Sequence, residues 1–163
     1  PMLNCRIENG RNPIRIVCDS KLRIPLDCNI CKTANEISTL VVSAIENPEK
    51  QSELEKMGVK TLILPDKNGK VDLKKLMQYL GEKSIDSVLI EGGGTLAYSA
   101  LQSKIVSHIY SYIAPKIFGG ENAKTPVESV GVETPDDCFK LKRTNVRELG
   151  SDILIEYDVL EVQ

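Results

Sequence analysis

The chain has 163 residues and a formal net charge of −2, with 41% apolar, 27% charged and 4% aromatic residues. That length supplies one core-forming domain and is short for two, and the composition is that of a globular chain rather than a disordered one. Lys+Arg 21 against Asp+Glu 23 excludes nucleic-acid binding by bulk charge, and no apolar run makes a membrane span or a signal peptide.

The chain opens at Pro1, which is not a translation start, so it reads as processed or as part of something longer. Ile14 to Cys18 is a β-branched run closed by Asp19-Ser20 and predicts a buried strand, as does Thr39 to Val42. Pro48 opens a polar helix running to Met57, with Gly58 at its stop. Lys60 to Leu64 is the next strand, ended by Pro65, and Asp66 to Gly69 is a turn. Leu73, Leu76, Met77 and Leu80 fall at i, i+3, i+4 and i+7, one face of a helix that Gly81 is expected to stop. Ser87 to Ile90 predicts a strand, followed by Glu91, three glycines and a helix from Thr95 to Ser103.

Alternating short strands and helices imply βαβ units and a mostly parallel sheet covered on both faces. The last third changes rhythm. Val106 to Ile113 reads as a long strand and Ala114 to Gly120 as a break; Lys140–Arg147 and Ile153–Glu161 read as two strands joined by Gly150-Ser151. The sheet is therefore expected to be mixed, with an antiparallel C-terminal edge. With no linker, repeat or low-complexity stretch, residues 1–163 are expected to form a single domain.

Five scattered cysteines suit a reducing cytoplasm better than a disulfide framework. Cys28 and Cys31 make a lone CxxC, either half a zinc site, a redox pair or two reduced thiols. The proline-containing Ile24 to Asp27 before it and the absence of further ligands favour reduced, unliganded thiols, and no metal site is expected. The single histidine, His108, lies in Val106 to Tyr110 and reads as a strand residue rather than a base.

Ser87 to Ala97 carries the strongest chemical signal, a glycine-rich turn leading into a helix start. Glycines admit a ligand close to the backbone, and unpaired N–H groups of a first helical turn favour an anion such as phosphate. The spacing is neither GxGxxG nor GxxxxGK[ST]. The same turn also serves as a tight strand-to-helix connection. Glu91 stands where open α/β sheets place ligands, either as an acceptor for ligand hydroxyls or as a solvated strand-end acid. Asp19 to Pro25 offers the Ser20 hydroxyl with Lys21 and Arg23, a set that suits a phosphomonoester or forms a surface turn.

In this order the segments resemble one family. Pro1 to Arg6 resembles the end of a DDPxLTxR motif, and Arg15 to Pro25 an RIVxDSxLRxP strand. Glu91-Gly92-Gly93 before a helix, and Ala114 to Gly120, resemble VEGG and YxAPKxxGG motifs. The family is the reductase domain of the bifunctional riboflavin-biosynthesis deaminase/reductase, RibD type, and the resemblance spans essentially the whole chain. It implies a dihydrofolate-reductase-like α/β fold, a mixed, mostly parallel sheet with helices on both faces, whose N-terminal strands are missing here. It also implies NADPH-dependent reduction of 5-amino-6-(5-phosphoribosylamino)uracil 5′-phosphate to the ribitylamino product. On that resemblance Leu3, Arg6 and Glu91 bind substrate, with Arg6 at its phosphate. Ser20 contacts NADP, Lys21 or Arg23 partners the 2′-phosphate, and Gly93, Gly94, Thr95, Leu96, Ala97, Tyr98 and Ser99 wrap the cofactor phosphates. No residue is assigned as proton donor. Asn4 departs from the usual Thr. Upstream residues that contribute to both sites in the family, and the zinc deaminase domain with its HxE and PCxxC ligands, are absent. A homodimer, a cytoplasmic location and a deaminase domain in the parent chain follow by analogy. Two other readings are a reductase of another pteridine or pyrimidine, and a non-catalytic nucleotide-binding or dimerising fragment.

Overall fold

The computed structural model describes residues 2–121 and 123–160. The chain divides into two compact units, residues 1–79 and 80–163, and the division falls inside a helix.

The first unit is built on a parallel sheet. β1 (Arg15–Cys18), β2 (Thr39–Ser43) and β3 (Val59–Ile63) pair side by side in chain order, with Val17 opposite Val41 and Val41 opposite Thr61. All of β2 is buried, as expected of a strand paired on both edges and covered by helices. Between β1 and β2 lies a short helix, α1 (Asn29–Lys32), which the sequence reading did not anticipate. α2 (Pro48–Lys56) joins β2 to β3; the Asn47 side chain caps it by accepting from the Lys50 N–H, and Pro48 fills its first position. Leu22, Ile24, Cys31, Ala34, Val41, Leu54 and Val59 form one buried cluster. α3 (Leu73–Glu82) follows Asp72, with Leu73, Leu76 and Leu80 buried as the periodicity predicts. Gly81 lies within this helix and does not stop it.

The second unit carries α4 (Gly94–Gln102) and an antiparallel sheet. β4 (His108–Ile113), β5 (Leu141–Leu149) and β6 (Asp152–Val159) are arranged β4-β6-β5. The predicted pair of C-terminal strands is present and antiparallel; residue 161, its expected end, lies outside the described residues. A register shift between Arg143 and Asn145 marks a bulge at Thr144, whose hydroxyl donates to the Glu156 carbonyl at 3.1 Å.

Strands of both kinds are present, as the α/β reading expects: one three-stranded sheet is parallel and the other, at the C-terminal end, antiparallel. One expectation needs correction. Ser87 to Ile90 is not a strand: among the described residues none pairs with it, and Val88, Leu89 and Ile90 are exposed. Its composition favours an extended chain, but a ladder needs a neighbour.

Candidate functional site

The candidate residues fall in both units, and each group is built by its own unit. In the first, β1 delivers the chain to Asp19, whose N–H donates to the Val42 carbonyl at 2.9 Å. The segment after it turns tightly: the Leu22 N–H returns to the Asp19 carbonyl, and the Ile24 N–H donates to Asp19 Oδ2 at 2.7 Å. Leu22 and Ile24 insert into the core while Lys21 and Arg23 alternate outwards into solvent. Two cations are thus presented side by side on a turn fixed by its own hydrophobic residues. Arg23 Nε lies 3.7 Å from Asp19 Oδ1, an atom that is buried and accepts no hydrogen bond.

Ser20 is already engaged in the fold. Its Oγ accepts from the Val71 N–H at 3.1 Å, and its carbonyl accepts from the Ala44 N–H. The hydroxyl proton is left to donate elsewhere. Leu3 and Arg6 sit on an irregular arm at residues 2–12; Leu3 has φ +48°, the left-handed region, and Arg6 is exposed.

In the second unit, Glu91 is exposed at the start of the glycine turn. Gly92 (φ +142°) and Gly93 (φ +76°) adopt backbone conformations that side chains disfavour, and nothing lies within 4 Å of where a Cβ would stand on either. Gly93 is the N-cap of α4, and no side chain caps the helix. Its first-turn N–H groups have no carbonyl partners within the helix. Room beside Gly92 and Gly93, together with N–H groups that the helix itself leaves unpaired, fits a phosphate group.

The segment Gly93 to Ser99 does not present all its side chains to one place. Tyr98 is buried, donates its hydroxyl to the Gly131 carbonyl at 2.9 Å, and meets Phe139 edge to face at 5.8 Å. Ser99 Oγ donates back to the Thr95 carbonyl at 2.8 Å. Beside Tyr98 lies a cavity of about 380 Å³ walled by Val127, Glu128, Val132, Cys138 and Phe139. It belongs to the 125–139 segment and does not include Glu91 or Gly93.

All five cysteines are free, and among the described residues no group of three or more His, Cys, Asp or Glu could hold a metal. Cys28 is the N-cap of α1, reached from β1 through the proline-containing Ile24 to Asp27 rather than directly from a strand. Burial pushes the Cys31 thiol up to about 11, and a hydrogen bond with Cys28 adds to the shift; burial alone takes Cys18 to about 11. His108 opens β4 as an exposed strand residue, with Nδ1 2.8 Å from Asp158 Oδ1 on β6.

The sequence reading passed over Arg15, which it treated only as part of a motif. The side chain is 1% exposed and hydrogen bonds to five acceptors in its unit. An arginine inside an otherwise apolar strand is the signal that marks it.

Comparison with known proteins agrees with this picture. The family model described as the RibD C-terminal domain matches residues 1–155. The chain is 45% identical over 160 residues to the riboflavin biosynthesis protein RibD of Actinobacillus pleuropneumoniae, covering 98% of this chain and 43% of that protein. It is 34% identical over 151 residues to the 2,5-diamino-6-ribosylamino-4(3H)-pyrimidinone 5′-phosphate reductase of Methanothermobacter thermautotrophicus, covering 92% of this chain and 68% of the relative. Among solved structures it resembles Acinetobacter baumannii RibD, form 2, with a TM-score of 0.80, 26% identity and coverage of 98% of this chain and 43% of the other. The α/β fold expected from the resemblance, dihydrofolate-reductase-like, is therefore the one observed. The chain spans less than half the length of the RibD relatives it matches. It belongs to the RibD C-terminal domain family.

Proposed function

We propose that this chain is the reducing part of a riboflavin-biosynthesis enzyme. Its reaction is the NADPH-dependent reduction of 5-amino-6-(5-phosphoribosylamino)uracil 5′-phosphate to the ribitylamino product. One observation carries the reading: the Gly92-Gly93 turn at the uncapped start of α4, with open space where side chains would stand. The match to the RibD C-terminal domain and the reductase name of the archaeal relative support it.

When bound, the nicotinamide cofactor supplies a hydride to C1 of the sugar; the chain's own task is to hold two ligands in register. The Gly93 to Ser99 segment receives the cofactor phosphates: Gly93, Gly94, Thr95 and Leu96 through first-turn N–H groups, with Ala97, Tyr98 and Ser99 completing the helix that carries them. Ser20 donates its hydroxyl to the cofactor, and Lys21 or Arg23 meets the 2′-phosphate that distinguishes NADPH from NADH. Leu3, Arg6 and Glu91 hold the pyrimidine substrate, Arg6 at its phosphate and Glu91 at its hydroxyls. The parent polypeptide carries a deaminase domain, works as a homodimer and resides in a reducing cytoplasm.

The test is turnover by the full-length polypeptide, followed through nicotinamide absorbance, with NADPH against NADH. Two substrates are offered: the phosphoribosylamino-uracil and the 2,5-diamino-pyrimidinone phosphate named for the archaeal relative. Faster turnover of the uracil with NADPH is expected. Preference for the diamino compound would move the enzyme one deamination earlier, and no turnover of either would end the proposal.

A further inference from the structure

Arg15 is the only charged side chain in the buried set among the described residues. No carboxylate pairs with it there; neutral oxygens do all the work. Nε and Nη2 donate to Thr39 Oγ1 at 3.0 and 2.7 Å, and Nη2 also reaches the Ile30 and Ile37 carbonyls at 3.0 and 3.1 Å. Nη1 donates to Thr33 Oγ1 at 2.8 Å. These four acceptors belong to α1 and its C-cap, to Ile37 before β2 and to Thr39 at its first position, so they define one frame around the guanidinium.

The fifth acceptor lies elsewhere in the chain. Nη1 also donates to the Met2 carbonyl at 3.2 Å. The next residue, Leu3, has φ +48°, a conformation that leucine rarely adopts and that surrounding structure must impose. Beyond Leu3 the arm closes on itself. The Cys5 N–H donates to Asn12 Oδ1 at 3.0 Å, the Gly10 N–H donates to the Ile7 carbonyl at 2.9 Å, and Gly10 packs against Cys5 Sγ. Residues 2–12 thus form a preshaped loop, and the guanidinium joins its root to the frame.

We propose that Arg15 is a positioning residue that, through the Met2 carbonyl, holds the arm carrying Leu3 and Arg6 against the frame of α1 and β2. This rests on the reading of Leu3 and Arg6 as contacts to the pyrimidine substrate. A planar fork of five N–H donors is needed, because the three donors of one ammonium nitrogen cannot reach acceptors spread around the guanidinium from Thr39 Oγ1 to the Met2 carbonyl. Lysine at this position keeps the charge and loses the bridge.

The experiment compares wild type with Arg15→Lys in the full-length polypeptide. Steady-state kinetics are expected to show KM for the pyrimidine raised at least about tenfold, with KM for NADPH and kcat within about threefold. Hydrogen–deuterium exchange is expected to show faster exchange in residues 3–12 and none gained in β3. A fall in kcat with both KM values unchanged, or unchanged exchange in residues 3–12, would overturn the assignment. Should Arg15→Lys fail to fold, replacing Leu3 by its α-hydroxy acid turns the Met2 carbonyl into an ester carbonyl, a weaker acceptor for Nη1, and leaves Arg15 in place; unchanged exchange of the arm again rejects the idea. If wild type turns over no pyrimidine, the proposed function falls, while the exchange result still decides whether Arg15 holds the arm.

Discussion

Gly94, the first residue of α4, lies directly beneath Glu128. A Cβ placed on Gly94 would stand 2.6 Å from Glu128 Cγ and 2.7 Å from its backbone nitrogen. The glycines of the turn are therefore not equivalent: Gly92 and Gly93 face open space, and Gly94 is the seat of the 125–132 segment. Gly94→Ala is expected to lower stability by about 1–3 kcal/mol through overpacking. Because backbone must shift, protease cleavage within 125–132 is expected to accelerate. Gly93→Ala is expected to carry a left-handed backbone cost of about 1–2 kcal/mol and to leave that cleavage rate unchanged. Equal cleavage in both variants would contradict the distinction.

Ser20 has two tasks that one substitution separates. Ser20→Ala removes the acceptor of the Val71 N–H, which is expected to reduce stability by about 1 kcal/mol. If Ser20 also contacts the cofactor, KM for NADPH rises severalfold at a temperature where the variant is fully folded. A stability loss with unchanged KM assigns the hydroxyl to the fold alone.

Asp72 caps α3. Its Oδ1 accepts from the Lys75 N–H at 3.1 Å, and its Oδ2 lies 3.3 Å from Lys75 Nζ. The backbone hydrogen bond from Lys75 is the main cause that holds this carboxyl below the usual carboxylate range. A depressed carboxylate stabilises the fold above its unfolded pKa of about 4, and that contribution is lost as pH falls through the lower folded pKa. Asp72→Ala is expected to cost about 1 kcal/mol at neutral pH, with a deficit that shrinks on acidification. Urea melts of both proteins across the acid range measure it; a deficit that grows at low pH would be the wrong sign.

Cys18 and Cys31, with thiols pushed up to about 11 by burial, carry little thiolate at neutral pH. Iodoacetamide is expected to modify both at least about tenfold more slowly in native protein than in urea, since the thiolate is the nucleophile. Peptide mass spectrometry after timed quenching reads each site. Comparable native and unfolded rates at Cys31 would mean that the core around α1 opens readily.

Tyr98→Phe keeps the ring that meets Phe139 and deletes only the hydroxyl bond to the Gly131 carbonyl. The expected loss is about 1 kcal/mol in thermal or chemical unfolding. No loss would show that solvent replaces the hydroxyl at Gly131.

Much of the first unit could be read from residues alone because its signals are local. The β-branched runs at Arg15–Cys18 and Thr39–Ser43, Pro48 behind Asn47, and the leucine stripe of α3 each state their structure within a dozen residues. What stayed hidden depends on distant partners. Ser87 to Ile90 has strand composition and no partner strand among the described residues. α1 is too short to show a period. The site behaves likewise: the glycine turn and Glu91 were visible as motifs. The Ser20–Val71 bond, the Glu128 segment over Gly94 and the five-acceptor Arg15 node join residues far apart in sequence. No window of sequence displays them.

Val88, Leu89 and Ile90 have a further effect on how the polypeptide handles in solution. They are 39%, 72% and 36% exposed, carry no charge and have strand-forming side chains. An uncharged, β-prone run that no strand pairs among the described residues is a template on which another copy can add a strand. Aggregation on concentration is therefore expected to begin here, and Leu89→Lys is expected to raise the solubility limit. The run that supplies the approach to the glycine turn is thus also a point at which copies of the chain can associate.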